Sequence, residues 1–133
     1  MNKDGLVTIA SAFPVGETID RLANAVQARG LQVFARIDHE AGATQAGLPL
    51  RPTQLIIFGN AMGGTPLIQE KQSVGIDLPL KAIAFEDENG SVWLSYNDPE
   101  WIARRHGLSD ASRGAVTAIS AGLAALTKAA ATR

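Results

Sequence analysis

The chain has 133 residues, of which 46% are apolar and 19% are charged, and this is the size and composition of one globular domain. Its formal net charge of -1 excludes the basic footprint of a protein that binds nucleic acid or an anionic membrane surface. It has no cysteine, which excludes disulfides, thiolate catalysis and thiolate zinc sites.

The N-terminal sequence MNKDGLVTIASAF is too polar for a secretory signal peptide, so we expect a cytoplasmic protein. The β-branched and aliphatic residues of Leu6–Ala10 predict a first strand. Pro14 suits the first turn of a helix, and Gly30 is placed to end that helix. The apolar residues between them fall on one helical face: Val15, Ile19, Leu22 and Val26.

The next segment, LQVFARID, predicts a second strand with one buried face, because Val33, Ala35 and Ile37 alternate with polar or larger residues. The sequence EAGATQAGL then predicts a short helix that Gly47 closes. Four apolar residues in a row, Leu55–Phe58, predict a third strand that is covered on both faces. We therefore expect that strand to be the most central one.

Pro66 favours the start of another short helix, which ends before Gly75. Two strand-like runs then flank Asn89 and Gly90, a pair that favours positive φ angles. This is the strongest local signal in the chain and predicts a tight β-hairpin.

The last part of the chain predicts a helix from Pro99 to a stop at Gly107, then a final helix capped by Ser109 or Asp110. Because the hairpin requires an antiparallel strand pair, a purely parallel sheet is disfavoured. The predicted fold is a single α+β domain over residues 1–133. We expect a two-layer sandwich in which helices pack on one face of a mixed or antiparallel sheet of about five strands.

The loop in residues 56–68, IIFGNAMGGTPLI, has nearly the glycine spacing of a P-loop. Thr65 occupies the place of the phosphate-binding lysine, so we do not expect a nucleotide triphosphate site. Two interpretations remain open. The amides of Gly63 and Gly64 could bind a carboxylate or a single phosphate before a helix start, or the segment is a turn with Thr65 as N-cap and Pro66 at the first helical position, which we favour.

The two histidines of the chain, His39 and His106, could form a metal site with a carboxylate from Asp38, Asp98 or Glu100. Their spacing does not favour one, and we predict no metal and no cofactor. A Ser-His-Asp nucleophile system is disfavoured because the sequence contains no G-x-S-x-G motif.

Several segments together resemble one family in order and spacing: VFARIDHEAGA, LRPTQLIIFGN, GTPLI, DLPLKAIAFED and VWLSYNDPEWIARRHGL. They are similar to the bacterial domain-of-unknown-function 302 family over residues 5–108, which leaves 109–133 as a C-terminal helical extension. The resemblance implies a compact α+β domain that is usually intracellular and often a homodimer. It implies no reaction, so we leave open whether the chain is an enzyme.

Polar residues concentrate at the predicted strand ends, and if those ends converge they line one cleft. The candidate ligand-binding residues are Asp38, His39, Asn60, Thr65 and Tyr96. The first hypothesis is a domain that binds a small polar or anionic molecule there. The alternatives are a structural or interaction homodimer whose polar residues only cap their own segments, and, third, an enzyme with His39 as general base.

The final helix supports the homodimer hypothesis. It has a narrow apolar stripe of four residues: Val116, Ile119, Leu123 and Leu126. Gly114, Ala118 and Gly122 form a second face with almost no side chain, which a partner helix could approach closely. The competing interpretation is that the stripe docks on its own sheet and that alanine fills an exposed face because it is the best helix former.

Overall fold

The computed structural model describes residues 4–133 and confirms the α+β fold. Five strands form one sheet: Leu6–Ser11 (β1), Gln32–Asp38 (β2), Thr53–Gly59 (β3), Leu80–Glu86 (β4) and Val92–Asn97 (β5). The α-helices are Val15–Ala28 (α1), His39–Gln45 (α2), Ala61–Glu70 (α3), Pro99–His106 (α4) and Arg113–Ala131 (α5). Short 3₁₀ segments at Gln72–Ile76 and Asp110–Ser112 follow α3 and precede α5.

The strand order is β1-β5-β4-β3-β2, and every neighbouring pair is antiparallel. The prediction that Leu55–Phe58 forms the most central strand was wrong, because β4 occupies the centre. Within β3, only the side chains of Ile56 and Phe58 are fully buried. Leu55 and Ile57 point to the other face and are half-buried, so the apolar run does not have a helix on each side.

Helices α1 and α5 pack together on one face of the sheet and enclose the main core. The largest fully buried side chains of this core are Ile19, Leu22, Ile56, Phe58, Leu94 and Leu123. The opposite face, which we call the open face, carries no helical layer within residues 4–133. The helices therefore lie on one face, as the sequence predicts.

A β-bulge in β2 changes which residues face the helices. Val33 lies opposite Phe58, but the register shifts before Ala35, so Arg36 lies opposite the buried Ile56. Arg36 is consequently on the helix side, where it forms an ion pair with Asp20 of α1 at 2.8 Å. The alternation predicted for β2 was wrong after Val33, because one extra residue in a strand reverses the facing of all that follow.

The predicted hairpin joins β4 to β5, but its turn is longer than a two-residue turn. The amide of Gly90 donates to the carbonyl of Asp87, and the amide of Asp87 donates to the carbonyl of Ser91. Gly90 has a φ of +82°, whereas Asn89 does not have a positive φ. This is the three-residue loop that combines a turn with a left-handed residue. The carboxylate of Asp87 accepts from the amides of Asn89 and Ser91 and so fixes the conformation of this loop.

The apolar stripe of α5 is covered by the same chain, as the competing interpretation of the sequence proposed. Leu123 and Leu126 are buried in the main core, and Val116 is buried in a second cluster with residues of α3 and α4. Asp110–Ala131 is the one segment among residues 4–133 that is long and apolar enough to cross a membrane by length and composition. Its stripe instead packs against α1 and the sheet.

Candidate functional site

A cavity of about 480 Å³ lies at the end of the sheet where β3 finishes and β4 begins. Its walls come from the C-terminal end of α1, the start of β2, the segment from Gly59 to Ile68, and the middle of α5. Most of the lining is apolar, including Leu31, Phe34, Ile68, Leu78, Leu80, Ile119 and Leu123. This volume lies within the ordinary range for sites that bind small molecules.

The polar part of the wall is the N-terminal turn of α3. Asn60 caps the helix, since its Oδ1 accepts from the amide of Gly63 at 2.7 Å. The amides of Ala61 and Met62, in the first turn of the helix, have no carbonyl within the helix to bind. The side chains of Asn60 and Thr65 both line the cavity, and so does the exposed Arg29.

The helix therefore begins five residues earlier than the sequence predicted. Thr65 is not the N-cap and Pro66 is not the first helical residue, because Asn60 provides the capping oxygen and Pro66 lies inside α3. Neither Gly63 nor Gly64 has a positive φ, whereas Gly59 does, at +147°. The position whose backbone conformation favours glycine is therefore Gly59, at the end of β3. Gly63 has a different role, since a Cβ there would approach Asn60 Oδ1 to 3.0 Å and crowd the cap.

Asp38 and His39 do not join this cavity. Asp38 lies opposite Gln54 at the start of β3, whereas Gly59 at the end of β3 lies opposite Gln32. In an antiparallel pair the two strands end at opposite edges, so Asp38 and Asn60 are separated by about 20 Å of strand. Asp38 caps α2 by accepting from Ala41 at 2.9 Å, which agrees with the capping alternative. His39 is exposed at the start of α2.

Tyr96 lies at the correct end of the sheet but does not line the cavity. It pairs with Ala82 and is buried in the main core with only 8% of its surface exposed. Burial raises the pKa of Tyr96 above its ordinary value, the charge of Asp98 acts in the same direction, and a hydrogen bond with Thr127 acts against them. Of the five candidate residues, the structure thus brings Asn60 and Thr65 together at a cavity.

This raised pKa predicts that the domain becomes less stable at high pH. Above about pH 10 the tyrosine ionises in the unfolded chain but resists ionisation in the folded one. The free energy of unfolding should therefore fall as pH rises through that value. Urea unfolding at pH values on either side of it should show a smaller fall for Tyr96→Phe than for the unsubstituted protein.

Lys81 contributes to the pH dependence of both proteins in the opposite direction. Burial lowers its pKa, so the unfolded chain binds more protons there, and this contribution raises stability with pH. Because Lys81 is present in both proteins, it cancels in the difference between them. An identical pH dependence for Tyr96→Phe and the unsubstituted protein would contradict the assignment to Tyr96.

A second polar cluster joins the 3₁₀ segment to α4. His106 Nε2 donates to Asp77 Oδ2 at 2.6 Å, and His106 Nδ1 lies 2.8 Å from Ser73 Oγ. Arg105 donates to both oxygens of Asp77, at 3.0 and 3.2 Å. A carboxylate only accepts, so Nε2 carries a proton, and Ser73 donates to Nδ1 when the ring is neutral.

This chain of contacts has the composition of a Ser-His-Asp triad but not its surroundings. Ser73 is exposed and does not line the cavity, and Arg105 neutralises the carboxylate that would stabilise a charged imidazole in a triad. The cluster instead joins Asp77 to α4, and the next residue, Leu78, packs against the second apolar cluster, which includes Ile102 of α4. Leu78 and Pro79 form part of the cavity wall. We therefore assign it a positioning role.

Sequence reasoning missed the wall that α5 contributes to the cavity. Ala118 and Gly122 line it, and a Cβ added at Gly122 would meet no atom within 4 Å. The small-residue face of α5 was the available signal, but it pointed equally to a helix partner. Only the docking of α5 beside α3 shows that its small residues leave open space inside the chain.

The fold and this site define a two-layer α+β domain with a mainly apolar cavity at one end of its sheet. The chain belongs to the DUF302 family, because the family model described as "Domain of unknown function DUF302" matches residues 7–128. The matched region includes most of α5, whereas the sequence segments that show the resemblance end at residue 108.

Two curated relatives from Brucella are 51% identical to this chain over 124 residues, which cover 93% of it. They are named "Fluoride-specific ion channel FluC 1", from Brucella suis biovar 1 (strain 1330) and from Brucella abortus biovar 1 (strain 9-941). The match covers 49% and 46% of their lengths. The chain thus spans about half the length of the curated relatives it matches.

A solved structure confirms the fold. The crystal structure of an uncharacterized conserved DUF302 protein from Bacillus stearothermophilus matches with a TM-score of 0.84 and 20% sequence identity. The match covers 95% of this chain and 98% of that one. At this level of identity the likeness concerns the arrangement of strands and helices.

Proposed function

We propose that this domain binds a small amphipathic molecule, with an apolar body and one polar or anionic end, in the cavity between α3, α5 and the end of β3. The observation that supports the proposal most directly is a cavity of about 480 Å³ with an apolar lining and a few polar groups on one side. Sites for small molecules commonly combine these two features. A cytoplasmic location stays a prediction.

The polar groups suggest how such a molecule is oriented. Asn60 and Thr65 offer an amide and a hydroxyl, and Arg29, which also lines the cavity, offers a guanidinium. The first turn of α3 adds backbone N–H groups and the positive end of the helix dipole. A carboxylate end would lie there, while the chain or ring of the ligand contacts Ile68, Ile119 and their apolar neighbours.

The name of the Brucella relatives does not lead us to propose ion conduction by this chain. About half of each relative has no counterpart here, and α5 buries Leu123 and Leu126 inside the domain. We propose instead that the shared half is a binding module. In those relatives, this module would bind its ligand beside the half of the protein that has no counterpart here.

The test introduces a larger side chain into the cavity at a position on α5. Gly122→Leu places a side chain into open space and also raises helix propensity by up to about 1 kcal/mol. Hexanoate, octanoate and decanoate are the probes, and a probe at about 100 times its Kd raises the free energy of unfolding by about 2.7 kcal/mol. We expect thermal unfolding of the unsubstituted protein to respond to at least one probe and that of Gly122→Leu to respond to none.

Gly114→Leu is the matched control. Gly114 lies on the same helix, is exposed, has open space around its Cα and does not line the cavity. It lies in the first turn of α5, so its gain in helix propensity is smaller, and it should keep the full response to the probes. The proposal is refuted if no probe shifts the unsubstituted protein, or if Gly122→Leu and Gly114→Leu respond equally.

A further inference from the structure

The polar side chains of the cavity wall are mainly hydrogen-bond donors. Three side chains of the wall are polar: Arg29, Asn60 and Thr65. A guanidinium has N–H donors and no acceptor, whereas a threonine hydroxyl both donates and accepts. Within residues 4–133 the wall has no aspartate or glutamate, so its one charged side chain there is positive.

The role of Asn60 as the cap of α3 fixes which of its two terminal atoms is free to bind a ligand. The backbone amide of Gly63 is a donor, so the Asn60 atom that lies 2.7 Å from it is the carbonyl oxygen Oδ1. The other terminal atom is then the nitrogen Nδ2, which donates. Turning the side-chain amide over would bring two donors together and remove the cap.

These two donor groups have no partner within the described chain. No acceptor among residues 4–133 binds Asn60 Nδ2 or the guanidinium of Arg29. Arg21, also from α1, is different, since it donates to three carbonyl oxygens at the end of α5. The donors at the cavity are therefore available to a bound molecule.

We infer that the cavity selects ligands whose polar end is an ionised carboxylate, and that Asn60 sets this selectivity. The inference rests on the proposed function and narrows its ligand to one whose polar end only accepts hydrogen bonds. A carboxylate has two acceptor oxygens and no hydrogen to donate, and hydrogen bonds that involve a charged group are stronger than neutral ones. A carboxamide presents an NH₂ group to the same donors, and an ammonium brings a second positive charge beside Arg29.

Three probes of one chain length test the selectivity of the unsubstituted protein: octanoate, octanamide and octylammonium. Calorimetric titration at about pH 8 keeps the carboxylate ionised and the ammonium protonated. We expect octanoate to bind about tenfold or more tightly than octanamide, and octylammonium to bind most weakly. If octanamide binds as tightly as octanoate, the inference fails while the proposed function stands. If none of the three binds, both fail.

Asn60→Asp tests the role of Asn60 itself. Aspartate is as good an N-cap as asparagine, so the free energy of unfolding in urea should be kept. The substitution replaces the donor Nδ2 with a charged acceptor oxygen. The Kd for octanoate should therefore rise about tenfold or more, and the Kd for octylammonium should fall. A role of Asn60 as a helix cap alone would leave both values unchanged.

Asn89→Asp is the matched control, because it makes the same change of charge in the turn between β4 and β5. Leu80, the first residue of β4, lines the cavity, and the seven residues of this strand place the turn about 20 Å away. The Kd values for all three probes should therefore be those of the unsubstituted protein. Equal affinities for octanoate in Asn60→Asp and Asn89→Asp would refute the inference.

Arg29→Gln gives a second test that does not depend on the cap of α3. The side chain of Arg29 is exposed, so the variant should fold. Removing the guanidinium should weaken the binding of octanoate and leave that of octanamide unchanged, because only the carboxylate gains from the positive charge. A loss of the same size for both probes, or for neither, would contradict the selection of a charged end.

Discussion

Replacing Gly5 with alanine is expected to lower the free energy of unfolding by about 3 kcal/mol. Gly5 has a φ of +76° immediately before β1, a conformation that disfavours any residue with a Cβ. A Cβ there would also lie 2.5 Å from Cδ2 of Trp101 and within 3 Å of two more ring atoms. The ring cannot move freely, because Trp101 lies in α4 and packs against the second apolar cluster.

Gly30→Ala is the control that separates the strain of a positive φ from the steric contact with Trp101. Gly30 has nearly the same φ, +74°, but a Cβ there would meet no atom within 4 Å. Its substitution should lower stability by about 1 kcal/mol, the contribution of backbone strain alone. Urea unfolding measures both values. Equal losses at Gly5 and Gly30 would show that the contact with Trp101 adds nothing.

The backbone of Gly5 explains why its conformation is fixed. Its carbonyl accepts from the amide of Asp98 at 2.7 Å, which joins the start of β1 to the start of α4. Asp98 in turn caps α4 by accepting from the amide of Glu100. The sequence shows a glycine near the N-terminus but not its partner, since Trp101 is 96 positions further along the chain.

Local signals were sufficient for most elements of the fold. The Pro14 start and Gly30 end of α1, the hairpin around Gly90 and the Gly107 end of α4 each depend on the conformational preferences of a few adjacent residues. Strand order depends on pairings between distant segments, which is why the apolar run in β3 suggested a central strand that β4 occupies.

The candidate site was predictable only in part, and the sheet topology explains why. The hypothesis that all strand ends converge holds for parallel strands, whereas antiparallel neighbours end at opposite edges. Asn60 and Asp38 therefore lie apart although both follow strands. The apolar walls of the cavity arise from the packing of α5 beside α3, which no spacing within either helix reveals.

The second large predicted loss of stability concerns the polar cluster of Ser73, Asp77, Arg105 and His106. Asp77→Ala should lower the free energy of unfolding by about 3 kcal/mol, because it removes charged hydrogen bonds to His106 and Arg105 and leaves a largely buried imidazole without its partner. The side chains of Asp77 and His106 are only 11% and 7% exposed. Solvent therefore cannot replace the contact with His106 as it does at the surface, whereas Arg105, whose side chain is 49% exposed, can bind water instead.

Asp20→Ala provides the comparison for an exposed ion pair. Asp20 binds Arg36 at 2.8 Å, but its side chain is 63% exposed, so its removal should lower stability by no more than about 1 kcal/mol. The two variants together compare a carboxylate that holds a partly buried cluster with one that forms an exposed ion pair. Similar losses for Asp77→Ala and Asp20→Ala would show that the cluster contributes no more than a surface pair.

The cluster should also affect the cavity, which distinguishes positioning from stability alone. Asp77 directly precedes Leu78 and Pro79, which form one wall, and its contacts with α4 hold that wall in place. Asp77→Ala should therefore weaken the response to carboxylate probes at temperatures where the variant is still folded, whereas Asp20→Ala should leave that response unchanged. A full response in folded Asp77→Ala would show that the wall keeps its position through the packing of Leu78 and Pro79 themselves.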